Sequence, residues 1–302
     1  MNLRQLETFV RVAELGSFSQ AARVLGMAQP ALSRQVRALE ADLRDTLLLR
    51  NGRGVVLTEA GRRLFEHGVA LLQLAQRARD DLSSQRDAHT GRVVIGLPPS
   101  LSRSLTLPLI DAFKRELPRA RLVVVEGLSA HIAEWIATGR VDLGLLHNPQ
   151  PQAALEIAPL RQEALHLVRG RPARGKALGP AIALRDLAAQ PLILPESSHA
   201  IRKLLDTQAA LAGVPLDIAW EVSSIPAIVD LVIAGYGAAV LTQPMVAASG
   251  RAAVLQLRAL VDPPLATVLC LAQAARKRPT PLRRRALALL RELAAAPHAE
   301  PA

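Results

Sequence analysis

The chain has 302 residues, half of them hydrophobic, with 37 basic against 26 acidic residues and a formal net charge of +11. That length supports two or three domains with sizeable cores. Aromatics at 2% mean those cores are built from Leu, Val, Ile and Ala, and one cysteine, Cys270, excludes an internal disulfide or a multi-cysteine zinc site.

The opening run, from Leu3 to about Leu15, has the spacing of an amphipathic helix with Leu3, Leu6, Phe9, Val10 and Ala13 inward and Gly16 as its stop. Arg4, Glu7, Arg11 and Glu14 interrupt it too often for a signal peptide. No apolar run approaches the length of a membrane span, so a cytoplasmic protein without membrane contact is expected.

Residues Ser17 to Glu40 then read as two short helices joined by a tight turn. Ser17 can cap the first, with Gln20 completing a capping-box pattern, and Gly26 is placed to end it. Pro30 falls in the first turn of the second. Leu32, Val36, Leu39 and Leu43 recur every three or four residues as a buried stripe, while Gln29, Ser33, Arg34 and Arg37 fall on another side with no carboxylate until Glu40. Such a face suits a DNA major groove, where Arg pairs with guanine, Gln with adenine, and Ser with bases or phosphate. An ordinary amphipathic pair with a solvated polar face is the alternative. The helix-turn-helix spans about residues 18–37.

Two apolar strands around Asn51-Gly52 follow, a hairpin signal whose tip carries Arg50 and Arg53 within reach of phosphates or a minor groove. This closes a winged helix-turn-helix over residues 1–58. Thr58 caps a long helix from Glu59 to about Arg86, in which Leu64, Gly68, Leu71, Ala75, Ala78 and Leu82 form a coiled-coil-like seam. Residues 59–88 are therefore expected to link and to dimerise; packing on the chain's own C-terminal domain is the alternative.

After a polar break at residues 88–91, strands and helices alternate, which predicts an α/β domain over 91–302 with a largely parallel sheet. The pattern restarts after about Gln162. That implies two lobes, the first about 91–162 plus 267–295 and the second about 163–266. A small ligand is expected in the crevice at the strand ends. Ser100 and Ser102, Ser129, Ser198 and His199 with Arg202 one turn on, Ser223 and Thr242 all stand at strand-to-helix junctions. Hydroxyls and N–H groups at helix starts favour an anion, and Arg202 can pair with a carboxylate or phosphate. Each alone also reads as a simple helix cap.

The layout FSQAAR, QPALSRQVRALE and R-x-x-R-G-V-x-LTEAG closely resembles the DNA-binding domain of LysR-type transcriptional regulators, and the long helix and α/β domain extend the likeness over nearly the whole chain. EGLSAHIAEWIATGRVDLGLLHNP is similar to the nitrogen-assimilation-control subgroup. The resemblance implies double-stranded DNA as partner, read through Gln29, Pro30, Ser33, Arg34 and Arg37 with the wing at Arg53. It also implies an effector domain like periplasmic solute-binding proteins, holding its effector through Ser100, Ser129 and the Ser198 to Arg202 segment. A homodimer through residues 59–86, usually assembled into a homotetramer, is implied as well, with contact to RNA polymerase left open. No cofactor or metal is expected. A periplasmic solute-binding protein would share the lobes but leave the first 58 residues unexplained. An enzyme is disfavoured because no phosphate loop, HExxH or Gly-x-Ser-x-Gly elbow is present.

Overall fold

A computed structural model describes residues 1–51, 54–83, 90–171, 179, 181–275 and 280–295. The chain divides into two compact units, an N-terminal helical one and a C-terminal α/β one.

In the N-terminal unit, α1 (Leu3–Leu15) starts in a capping box between Asn2 and Gln5 and ends at Gly16. Helix α2 (Phe18–Val24) is capped by the Ser17 hydroxyl, which accepts the Gln20 N–H at 3.3 Å. It stops in a Schellman turn, with Gly26 N–H bonded to Arg23 O and Met27 N–H to Ala22 O. Helix α3 (Gln29–Leu43) carries Pro30 in its first turn. Leu6, Phe9, Val12, Ala21, Leu32, Val36 and Leu39 close a common core. Two expected core leucines lie outside it: Leu3 is 46% exposed and Leu43 39% exposed, each in a terminal turn beyond the reach of the other helices. Thr8 is buried instead, its hydroxyl bonded to Arg4 O at 2.8 Å and Gln35 Oε1 at 2.7 Å.

Strands β1 (Leu48–Asn51) and β2 (Gly54–Leu57) pair antiparallel, with Asn51 opposite Gly54. Asn51 thus belongs to the ladder rather than to the tip. Val55 N–H bonds Gly16 O at 2.9 Å. At Gly54, φ is +136° and a Cβ would lie 2.7 Å from the same oxygen, so only glycine lets the hairpin close on the α1–α2 junction. Helix α4 (Glu59–Ser83) starts at Thr58, whose hydroxyl accepts Gly61 N–H and donates to Thr46 O. A Cβ on Gly68 would meet Val10 and Leu6 at 3.0 and 3.1 Å, so α4 crosses α1 there in close contact. Leu64 and Gly68 therefore complete the unit's own core, as do Phe65, Val69 and Leu72, and only the later part of the expected seam is free. Leu71 and Leu74 are exposed at 40% and 50%. The Leu82 side chain and residues 84–86 lie outside the described residues.

In the C-terminal unit, β3 (Gly91–Leu97), α5 (Pro99–Glu116), β4 (Ala120–Glu126), α6 (Ser129–Ala137) and β5 (Leu143–His147) form a parallel core in the order β4-β3-β5. Next comes β6 (Leu155–Gly170), one unbroken strand of 16 residues where the sequence pattern restarts after about Gln162. The second half of β6 enters a second lobe. There β7 (Ala181–Ala183), β8 (Leu192–Leu194), α7 (Ala200–Leu211), β9 (Ile218–Glu221), α8 (Ile225–Ile233), β10 (Ala239–Thr242), α9 (Gln243–Ala248) and β11 (Leu255–Val261) follow. Both β10 and β11 pair antiparallel with β6, while β7 runs parallel to β11 and β8 to β9.

Strand β12 (Ala266–Ala274) returns between β5 and β6, antiparallel to both, and α10 (Pro281–Ala295) packs on the first lobe's core beside α5. Arg283 on α10 donates to Asp142 Oδ1 at 2.7 Å, while Asp142 Oδ2 accepts Val94 N–H at 2.9 Å, so one buried carboxylate ties α10 to β3 and β5. The sheet is consequently mixed rather than largely parallel, because the two strands that join the lobes, β6 and β12, run against each other. Pro159 sits on β6 where the register with β12 slips between Leu269 and Cys270, a bulge that spares the missing N–H. Among the described residues no helix is long and apolar enough to cross a membrane.

Candidate DNA-reading face and effector cavity

With Leu32, Val36 and Leu39 turned inward, α3 must present Gln29, Pro30, Arg34 and Arg37 outward, and all four are exposed; Ser33 is half-buried. Arg34 and Arg37 have no ion-pair partner among the described residues. The carboxylate that ends this face is anchored by one oxygen: Glu40 Oε1 accepts Leu47 and Leu48 N–H at 2.9 and 3.2 Å. Arg50 folds back from β1, its guanidinium 4.2 Å from the centre of the Phe18 ring and Nη2 donating to Ser33 Oγ at 2.8 Å. Ser19 donates to Gln29 Oε1 at 3.3 Å. Arg53 lies outside the described residues.

In the C-terminal unit a cavity of about 390 Å³ opens where the two lobes meet. The first lobe contributes Ser129, His147, Asn148, Gln150 and Gln152, and the second Ser198, Lys203 and Thr207. Ser129 is the first residue of α6, and its hydroxyl accepts His147 N–H at 2.9 Å. Asn148 is pinned to β12 by Oδ1 accepting Val268 N–H at 2.7 Å. Behind the lining residue His147 lies a buried polar cluster: His147 Nε2 is 3.6 Å from Glu163 Oε2, and Arg161 binds Glu163 Oε1 at 2.7 to 2.8 Å while donating to Ala294 O at the end of α10. Burial alone would raise the Glu163 pKa, but the His147 imidazole and then the Arg161 guanidinium outweigh it and hold the carboxyl at about 2. His199 caps α7 by accepting Ile201 N–H on Nδ1, and burial, with His147 nearby, lowers its pKa to about 4. At neutral pH it is therefore an uncharged imidazole whose proton sits on Nε2.

The expected effector residues separate into three groups. Ser129 and Ser198 line the cavity, and His199 stands between two lining residues, Ser198 and Ala200. Ser100 is buried in the first turn of α5, Ser102 lies against the Thr106 hydroxyl, Ser223 is exposed between β9 and α8, and Thr242 is fully buried with no hydrogen-bond partner for its hydroxyl. None of these four lines the cavity. Arg202 does not line it either. Its guanidinium is buried against Asp206 Oδ1 and Oδ2 at 2.9 Å, Glu221 Oε2 at 2.8 Å and Pro195 O at 3.1 Å. A buried guanidinium needs partners, and these take it out of ligand reach. The cation that faces the cavity is its neighbour Lys203, with Thr207 one turn further along the same face. The buried spacing of Ile201, Leu205 and Ala209 already turns residue 203 outward, a signal that could have picked it from sequence.

Residues 3–62 match the model of the bacterial regulatory helix-turn-helix protein, lysR family, and residues 86–295 match the LysR substrate binding domain. The chain is 34% identical over 244 residues to the nitrogen assimilation regulatory protein nac of Klebsiella aerogenes, covering 80% of this chain and 79% of that protein. It is 32% identical over 266 residues to the HTH-type transcriptional regulator BbuR of Bordetella bronchiseptica, covering 88% and 82%. Among solved structures, the LysR family regulator CbnR matches with a TM-score of 0.72 and 26% identity over 97% of this chain and 99% of CbnR; full-length CbnR bound to its target DNA matches with the same score and identity. The chain belongs to the LysR family of bacterial transcriptional regulators, proteins that are not enzymes.

Proposed function

We propose that this regulator reads operator DNA through Gln29, Pro30, Ser33, Arg34 and Arg37 of α3, with Arg53 at the wing, and responds to a small anion held in the cavity between its lobes. The observation that carries the effector half is the charge of the lining. No Asp or Glu lines the cavity, Lys203 supplies an ammonium, and the N-terminal ends of α6 and α7 both open onto it. Two helix N-termini and one lysine favour negative charge at one place. Ser129, Ser198, Thr207 and the two glutamines supply neutral donors for orientation. The dimer forms through the free part of α4, where Leu71 and Leu74 are exposed, and two dimers join in a homotetramer. A solute-binding protein is disfavoured, since it would leave the N-terminal helix-turn-helix unit without a role.

The test is calorimetric titration of the full-length protein with small carboxylates and phosphate esters, each beside its uncharged amide or alcohol counterpart. The reading expects one anion to bind and its neutral counterpart to fail, with Lys203→Met weakening that anion at least about tenfold, the scale of one charge-assisted hydrogen bond. Equal binding of the neutral counterpart, or full affinity in Lys203→Met, would remove charge from the account.

A further inference from the structure

Hydrogen bonds inside the N-terminal unit engage one acceptor position at each of Ser33 and Gln29 on its reading face. Ser33 has one hydrogen to donate and lone pairs to accept with, whereas a guanidinium can only donate. Arg50 Nη2 at 2.8 Å therefore occupies an Oγ lone pair and leaves the Ser33 hydrogen for an outside acceptor. The Phe18 ring, 7% exposed in the core, holds the guanidinium in that place from below at 4.2 Å. At Gln29 the carbonyl oxygen accepts the Ser19 hydroxyl at 3.3 Å, which leaves the NH₂ end to face outward. Arg34 and Arg37 can only donate, and at the end of the face Glu40 turns one of its two oxygens, Oε1, to Leu47 and Leu48 N–H.

We infer that α3 presents a donor-rich reading face, preset by Arg50 and Ser19, and that it favours guanine and thymine edges over cytosine. The inference rests on α3 entering the major groove. There guanine offers N7 and O6 and thymine offers O4 as acceptors, whereas cytosine shows only its N4 amino donor. Adenine offers N7 but also an amino group that needs an acceptor. With Oε1 turned to Ser19, Gln29 does not make the two-point adenine pair that its residue type suggests. Arg50, on β1 beside the wing, is in this account a positioning residue for Ser33 rather than a phosphate contact.

The experiment selects binding sites for the full-length protein from a randomised DNA duplex and compares Arg50→Met, Ser33→Ala and Ser19→Ala with the parent. Methionine keeps the packing on Phe18 and removes the donor. The parent is expected to enrich guanine or thymine at the directly read positions. Arg50→Met and Ser33→Ala should relax the same single position, cytosine there gaining roughly three- to tenfold relative to guanine or thymine, the scale of one hydrogen bond. Ser19→Ala should move a second position toward adenine. The salt slope of Arg50→Met should equal the parent's. An even loss of affinity across all sequences in Arg50→Met, with the salt slope lower by about one, would identify a phosphate contact and overturn the inference. Unchanged selection in Ser19→Ala would overturn the Gln29 half. Should Arg50→Met fail to fold, Ser33→Ala and Ser19→Ala carry the same two readouts. Enrichment of no site at all would overturn the placement of α3 itself, an outcome distinct from enriched sites with the wrong bases.

Discussion

Replacing Glu163 with glutamine tests the buried polar cluster behind His147. Glu163 sits on β6 directly opposite Thr267 on β12, where the chain passes between lobes, and its side chain is 3% exposed. Its pKa falls from an ordinary 4.5 to about 2 because burial is outweighed by His147 and Arg161. A depressed carboxyl stabilises the fold at all pH values above its unfolded pKa, and this contribution is lost as pH falls through the folded pKa. The drop corresponds to about 3 kcal/mol at neutral pH, in line with the cost of breaking a buried ion pair from one side. Glu163→Gln leaves Arg161 with Ala294 O but no carboxylate in this pair, and should lower the melting temperature at pH 7 by about 6 to 12 °C for a unit of this size. The pH profile makes the prediction sharper. Parent and variant should converge as pH falls from about 5 toward 2, while both lose stability between about pH 6.5 and 4 as the unfolded chain protonates His199, held near 4 in the fold. Circular-dichroism melting over that range reads both effects. Equal melting temperatures at pH 7, or curves that stay parallel down to pH 2, would refute the cluster's contribution.

Two further variants separate structure from ligand and self-association. Arg202→Ala should destabilise the C-terminal unit by about 2 kcal/mol, a figure held down because Asp206 and Glu221 are 40% and 51% exposed. The anion affinity of the folded variant should stay within about twofold, and a selective loss of anion binding without a stability change would return Arg202 to the site. Leu71→Glu combined with Leu74→Glu should leave helix content intact and drive the protein toward a smaller assembly in light scattering; an unchanged mass would move the dimer interface off α4.

The N-terminal unit was legible because its signals are local. The three-four spacing of α3, the caps at Ser17 and Thr58 and the Asn51 hairpin each lie within a few residues of what they determine. The core edges were not, since Leu3 and Leu43 have helical spacing yet no neighbour to pack on. In the C-terminal unit β6 was missed for the same reason that makes it interesting. Glu156, Arg161, Gln162 and Glu163 interrupt the apolar pattern, and their partners on β12, β5 and α10 are more than a hundred residues away or on another strand. Arg202 reads as a ligand cation from the sequence because the Glu221 that pairs with it is 19 residues on, and Lys203, which lines the cavity, carries no local signal of a site beyond its outward spacing.

The central claim, that this chain reads operator DNA as a multimer under the control of a bound anion, is tested most directly by footprinting the full-length protein on the DNA upstream of its own gene. The salt concentration would be varied, with and without the anion found by titration. The account predicts two or more protected half-sites spaced in multiples of one helical turn, about 10 base pairs, with affinity falling steeply in salt and a protection pattern that the anion changes. Protection of no promoter fragment at low salt, or a pattern indifferent to the anion in every fragment, would contradict it.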